Sequence, residues 1–179
     1  MITSILLILF GAVATGAFQL VFNIRDRKHE SETILTAIAS EVDSICRLIR
    51  HQRYLEFASE VAATIRAGTW DGTALIVDVR ENYFSVYEGL AAKLGMLRPT
   101  DAAKIVNFYA YCKSVIDSTR ADGVNATGEV NHFTAGNLLS LETMLTAVLT
   151  LGNEIIKLPK VSIHETLSEP KLPQIEPPK

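Results

Sequence analysis

Few residues in this sequence have the types and spacing for chemistry. Glu129-Val130-Asn131-His132 is one Glu-x-x-His, the spacing that di-iron helical bundles use in two copies alongside two further glutamates. Here it occurs once, in a stretch of loop composition, so no metal centre is expected. His51 falls on an apolar seam and reads as a packed or snorkelling side chain, while His29 and His164 stand apart from it and from each other. Cys46 and Cys112 have no metal-ligand spacing and read as small core residues. The acids Glu41 and Asp43 lie two apart, on different faces of a helix, and so cannot share a site. The glycines of residues 68 to 72 lack a following Lys-Ser/Thr, those of 123 to 128 follow no strand, and no Ser or Cys has the context of an activated nucleophile. The expectation is a protein that is not an enzyme, with no catalytic, cofactor-binding or metal-binding residues.

Charge excludes a second class. Net charge is -3 with pI near 5.8, and no block of Lys and Arg exceeds a few residues, so the electrostatic footprint of nucleic-acid binding is missing. A hydrophobic share of 48% and mean hydropathy of +0.21 fit a foldable body plus one very apolar segment.

That segment is the N-terminus. Ile5 to Phe22 carries no ionisable side chain, and residues 3 to 24 are long enough to cross a hydrocarbon core of roughly 30 Å at about 1.5 Å per residue. Ala12-Val13-Ala14 has the look of a signal-peptidase site. Against cleavage, no charged side chain precedes Ile5, while Arg25, Arg27 and Lys28 follow the apolar run. A signal anchor is expected. By the positive-inside bias those three residues determine topology, with the N-terminus outside and the body cytoplasmic. Asn125-Ala126-Thr127 would then be no glycosylation acceptor. Within the span, Gly11/Thr15 and Ala12/Gly16 place small residues at i, i+4, a face on which two helices in lipid can approach closely and self-associate.

The elements beyond the anchor read as helices. From Ala17 to Ala67 there is no Gly or Pro. One helix can run through it, or a new one can start where Asn23 or Ser31 offers a cap; the pattern leaves both open. Leu35, Ile38, Val42, Ile45 and Ile49 form a seam that shifts to Leu48, His51, Leu55, Ala58, Ala62 and Ile65. Gly68 should stop the helix, with Trp70 as a plug over the bundle end or an anchor for a partner. Ile76, Val79, Tyr83, Val86 and Leu90 predict a helix from about Ala74 to Leu94, closed by Gly95 as a left-handed cap. Pro99 opens the next helix, with Asp101 in its first turn and a seam of Ala102, Ile105, Tyr109, Cys112 and Ile116, ending near Arg120. A further helix runs from Thr134 as cap to about Lys157 along Leu138, Leu141, Leu145, Val148, Gly152 and Ile155, with Gly152 implying close approach of a neighbour. Pro159 ends it, and Pro170, Pro173, Pro177 and Pro178 mark an extended tail.

The run Tyr83 to Leu97 (YFSVYEGLAAKLGML), with Ala103 to Val106 and Tyr109, resembles a helical hairpin of small, functionally uncharacterised bacterial proteins that begin with one membrane span. The resemblance implies a bacterial, membrane-tethered helical protein and no catalytic residues.

The reading is therefore all-α: an anchor over residues 1–24, a body of about four helices over 25–158, and a disordered Pro-rich tail over 159–179. It describes a single-pass protein of the bacterial inner membrane, with the bilayer, further copies of itself and an unidentified protein as partners. Its function would be interaction: a scaffold or tether at the inner face. An envelope protein with a periplasmic body, lysis-like or stalk-like, is the alternative, and a membrane-bound enzyme without an identifiable site is a further one.

Overall fold

A computed structural model describes residues 2–72, 82–120 and 132–160, with side chains omitted for residues 2–18, 20, 21, 23, 132 and 133. The described residues are helical, with no strand among them. The order is α1 (Ile2–His51), α2 (Tyr54–Ala67), α3 (Ser85–Leu90) continuing into a 3-10 segment (Ala91–Met96), α4 (Pro99–Thr119) and α5 (His132–Ile155). The bundle is all-α, as the periodicity predicts.

α1 is unbroken for 50 residues, so no cap at Asn23 or Ser31 interrupts it. Its hydroxyls do not compete with the helix. Thr33, Thr36, Ser40 and Ser44 each donate to the carbonyl four residues earlier, at 2.8 to 3.0 Å. The first seam holds in full: Leu35, Ile38, Val42, Ile45 and Ile49 are all buried.

The Gly/Pro-free run is nonetheless interrupted. Arg53 adopts a left-handed conformation (φ 56°, ψ 34°), which no side-chain pattern announces, and separates α1 from α2. The change of phase at that point leaves His51 exposed rather than on the seam. Beyond it Ala58, Val61 and Ala62 are buried. α2 then stops at Gly68, as expected. Its φ of 69° allows the Gly68 amide to donate to the Ile65 carbonyl (3.1 Å) and the Thr69 amide to Thr64 (3.0 Å), a Schellman closure. Trp70 is half-buried and packs against the core.

The helix expected over Ala74 to Leu94 is shorter than its periodicity suggests. Ile76 and Val79 lie outside the described residues. Asn82 to Phe84 form a turn, in which the Asn82 Oδ1 accepts the Phe84 amide at 2.9 Å, and α3 begins only at Ser85. Local side chain to backbone bonding of this Asx type overrides apolar spacing. Gly95 is not a left-handed cap either. It sits inside the 3-10 segment, and Leu97 leaves that segment extended (φ -83°, ψ 166°). The reversal uses 3-10 winding instead of a glycine with positive φ. Pro99 opens α4 as predicted, and buried Asp101 in the first turn is held by a two-pronged bond from Arg98 (2.7 and 3.1 Å).

α5 is the central helix. Leu138, Leu141, Leu145, Val148, Gly152 and Ile155 are all buried, matching the expected seam. Thr134 is not its cap: the helix begins two residues earlier, and Thr134 is buried within the first turn. Gly152 meets its expectation. A Cβ there would overlap the Cys46 Sγ of α1 and stand 3.2 Å from Phe108 Cε2 of α4, so three helices converge where one lacks a side chain.

Side-chain pairs set the topology. α4 lies antiparallel to α5 (Lys104 to Glu154, 2.6 Å), and α1 and α2 line successive stretches of α5, through Arg50 to Asn153 (2.7 Å) and the Arg66–Glu142 pair. α3 and its 3-10 extension descend along α1, from Glu41 to Glu30. The result is an up-down-up-down bundle with α1 and α4 parallel.

Candidate functional site

Among the described residues the predicted chemistry-bearing side chains do not converge. Glu129 lies outside the described residues, and His132 is the first residue of α5, its side chain undescribed. Among the described residues no group of three or more His, Cys, Asp or Glu is arranged to hold a metal. His29 and His51 are exposed on α1. Cys46 and Cys112 are free, buried thiols. Burial pushes Cys46 up to about 11 and Cys112 up to about 12, so both are protonated and poor nucleophiles at neutral pH.

Glu41 and Asp43 do face different ways, and each has its own task. Asp43 is 1% exposed and pairs with Arg47 one turn on, at 2.8 Å. Glu41 is the residue that sequence reasoning missed. Its Oε1 accepts the Val86 amide at 2.7 Å, and its Oε2 accepts the Tyr87 amide at 3.1 Å and the Tyr109 hydroxyl at 2.7 Å. A carboxylate of α1 thus caps α3, whose own N-cap residue Phe84 makes no side-chain cap bond, and ties α4 to the same point. Around it Tyr87 stacks on Tyr109 at 3.9 Å, with Phe84 and Phe108 edge-on to Tyr109 at 5.5 and 5.1 Å. Burial and the Glu41 bond both hold the Tyr109 phenol protonated, well above its ordinary range. The sequence carried no signal of this, because its periodicity predicted a helix running through Ser85 rather than one starting there.

One apolar cavity of about 290 Å³ lies between α1, α4 and α5, lined by Ile45, Ile49, Cys112, Ile116, Leu145 and Val148 among others. Gln52, Tyr54, Tyr83 and Thr119 add polar groups to its lining, and its thiol is protonated at neutral pH.

The residues of the expected anchor complete the set. Gly11, Ala12, Thr15 and Gly16 lie on α1, but their side chains are outside the described set. Arg25, Arg27 and Lys28 follow on the same unbroken helix and are exposed. By length and composition α5 carries a segment, Thr134–Ile155, with mean hydropathy 1.2, apolar enough to cross a membrane. Its surroundings are those of a bundle core helix: Glu142 pairs with Arg66 and Glu154 with Lys104. Charged pairs of this kind are costly in hydrocarbon.

Compared with known protein families, curated proteins and solved structures, the chain matches none.

Proposed function

We propose that the chain is a single-pass, membrane-anchored scaffold whose helical body tethers or recruits a partner at the inner face of a bacterial membrane. The observation that carries this reading is the continuity of α1. Its first half contains the uncharged run Ile5 to Phe22, and its second half contributes Leu35 to Ile49 to the bundle core. At about 1.5 Å per residue the helix is roughly 75 Å long, more than twice what a bilayer core requires. The span and the body's first helix are then one rod. Association of spans through Gly11, Ala12, Thr15 and Gly16 would set the geometry of the bodies attached to them. Arg25, Arg27 and Lys28 favour a cytoplasmic body. The likeness of Tyr83 to Tyr109 to hairpins of bacterial single-span proteins belongs to the same reading.

A reporter active only in the cytoplasm, fused after Lys179, tests the topology. Activity at normal expression is expected. A silent fusion, with an exported reporter active in its place, would move the body to the periplasm and favour an envelope role. Crosslinking in membranes tests assembly: Gly11→Leu with Gly16→Leu should abolish a dimer band, and an unchanged band would remove the self-association face from the proposal.

A further inference from the structure

Several elements bring cations to one level of the body, where α1 emerges from its apolar run. Lys93 of the 3-10 segment reaches Glu30 at 2.8 Å, and Lys160, beyond α5, reaches Glu32 at 3.1 Å. Arg98 precedes α4 and lies about ten residues before Tyr109, which bonds Glu41, so the parallel course of α1 and α4 puts it near the height of residues 30 to 32 of α1. Lys157 is exposed three residues before Lys160 in the chain. With Arg25, Arg27 and Lys28, this end holds, among the described residues, seven basic residues against the four acids Asp26, Glu30, Glu32 and Asp101, in a chain that overall has 17 basic and 20 acidic residues. Two of the three pairs are also polarised. Arg98 is 75% exposed over an Asp101 that is 5% exposed, and Lys160 is 80% exposed over a Glu32 at 34%. Their positive ends face solvent, and Met96 stands exposed on the same end.

The height of this end is set by the unbroken helix. Residues 30 to 32 lie about 9–12 Å beyond Ile24. The headgroup layer of one leaflet is about 5–7 Å deep, and its field persists for about 8–10 Å at physiological salt. Long basic side chains at that height reach the lipid phosphates. We propose that this end of the body docks on the anionic headgroups of the leaflet from which α1 emerges, so that the body stands on the membrane surface rather than swinging above it. The inference rests on the reading of Ile5 to Phe22 as a span. The partner is a bilayer bearing phosphodiester anions, recognised by charge complementarity.

Thiol labelling tests it, because Cys46 and Cys112 are buried. Thr100, exposed in the first turn of α4, is replaced by Cys in the full chain, and exposed Thr69 by Cys in a second variant as a control away from this end. Both are reconstituted in vesicles of phosphatidylcholine alone or mixed with phosphatidylglycerol, and labelled with an uncharged water-soluble maleimide. Anionic lipid should slow labelling at position 100 about fivefold and leave position 69 unchanged. About 1 M salt, or Lys93→Gln with Lys157→Gln in a variant of unchanged helical circular dichroism, should restore the rate. Equal rates at position 100 in the two lipids, in protein that floats with both vesicles after alkaline washing, overturn the docking and leave the span standing. Failure to float with either vesicle overturns both.

Discussion

Replacing Glu41 by Ala should cost the body about 3–5 kcal/mol. Three donors lose their acceptor: the Val86 and Tyr87 amides and the Tyr109 hydroxyl. The two amides are half-buried and regain water in the variant, so each costs about 1 kcal/mol net. The Tyr109 hydroxyl belongs to a residue 1% exposed, and its loss carries the larger penalty of a stranded buried donor, about 1–3 kcal/mol. For a body of this size the total corresponds to a fall in Tm of roughly 10–15 °C. Urea and thermal unfolding of the full chain in detergent, followed by circular dichroism, measure it. Amide exchange at Val86 and Tyr87 should accelerate before the core opens, because α3 has no side-chain cap of its own. Tyr109→Phe removes the stranded donor, so the double variant should be about 1–2 kcal/mol more stable than the sum of the single losses predicts. A loss below about 1 kcal/mol for Glu41→Ala, or strict additivity with Tyr109→Phe, would refute the assignment of Glu41 as the tie between three helices.

Gly152→Ala should destabilise by about 1–2 kcal/mol despite the better helix propensity of Ala, because the new methyl overlaps Cys46 Sγ, and Cys46→Ala should relieve most of that in an unfolding titration. Arg53→Gly should stabilise by about 0.5–1 kcal/mol, since glycine adopts the φ of 56° without strain; an unchanged or lower urea midpoint would contradict the left-handed break. The body should weaken in alkali. Below pH 9 both thiols are protonated in either state, whereas above it the unfolded chain releases its protons first. Stability therefore falls from about pH 9 until the folded thiols titrate near 11 and 12, by roughly 3 kcal/mol for Cys46 and roughly 4 kcal/mol for Cys112, and replacing both by Ala should remove the part of the fall that begins below about pH 10, above which the buried Tyr109 phenol adds its own.

What the sequence determined by itself was whatever follows from spacing along one helix. The seams of α1, α4 and α5 were legible because a period of 3.6 places Leu35 to Ile49, Ile105 to Cys112 and Leu138 to Ile155 each on one face. The stop at Gly68 and the start at Pro99 were legible because backbone chemistry at those residues is local. Gly152 announced a close neighbour through its missing side chain, though not that the neighbours are Cys46 and Phe108.

Only the tertiary structure decided the rest. The left-handed turn at Arg53 and the 3-10 route through Gly95 go against local preference, and their placement is set by how α1, α2 and α3 must meet their neighbours. Glu41 looked like half of an unproductive acid pair, because its three donors come from residues 45 to 68 positions away. The basic end was invisible for the same reason: Lys93 and Lys160 are 67 positions apart in the chain, and only the folding of the bundle brings them to Glu30 and Glu32 of α1. A helix writes its own face into the sequence, whereas a contact between helices depends on the register of both.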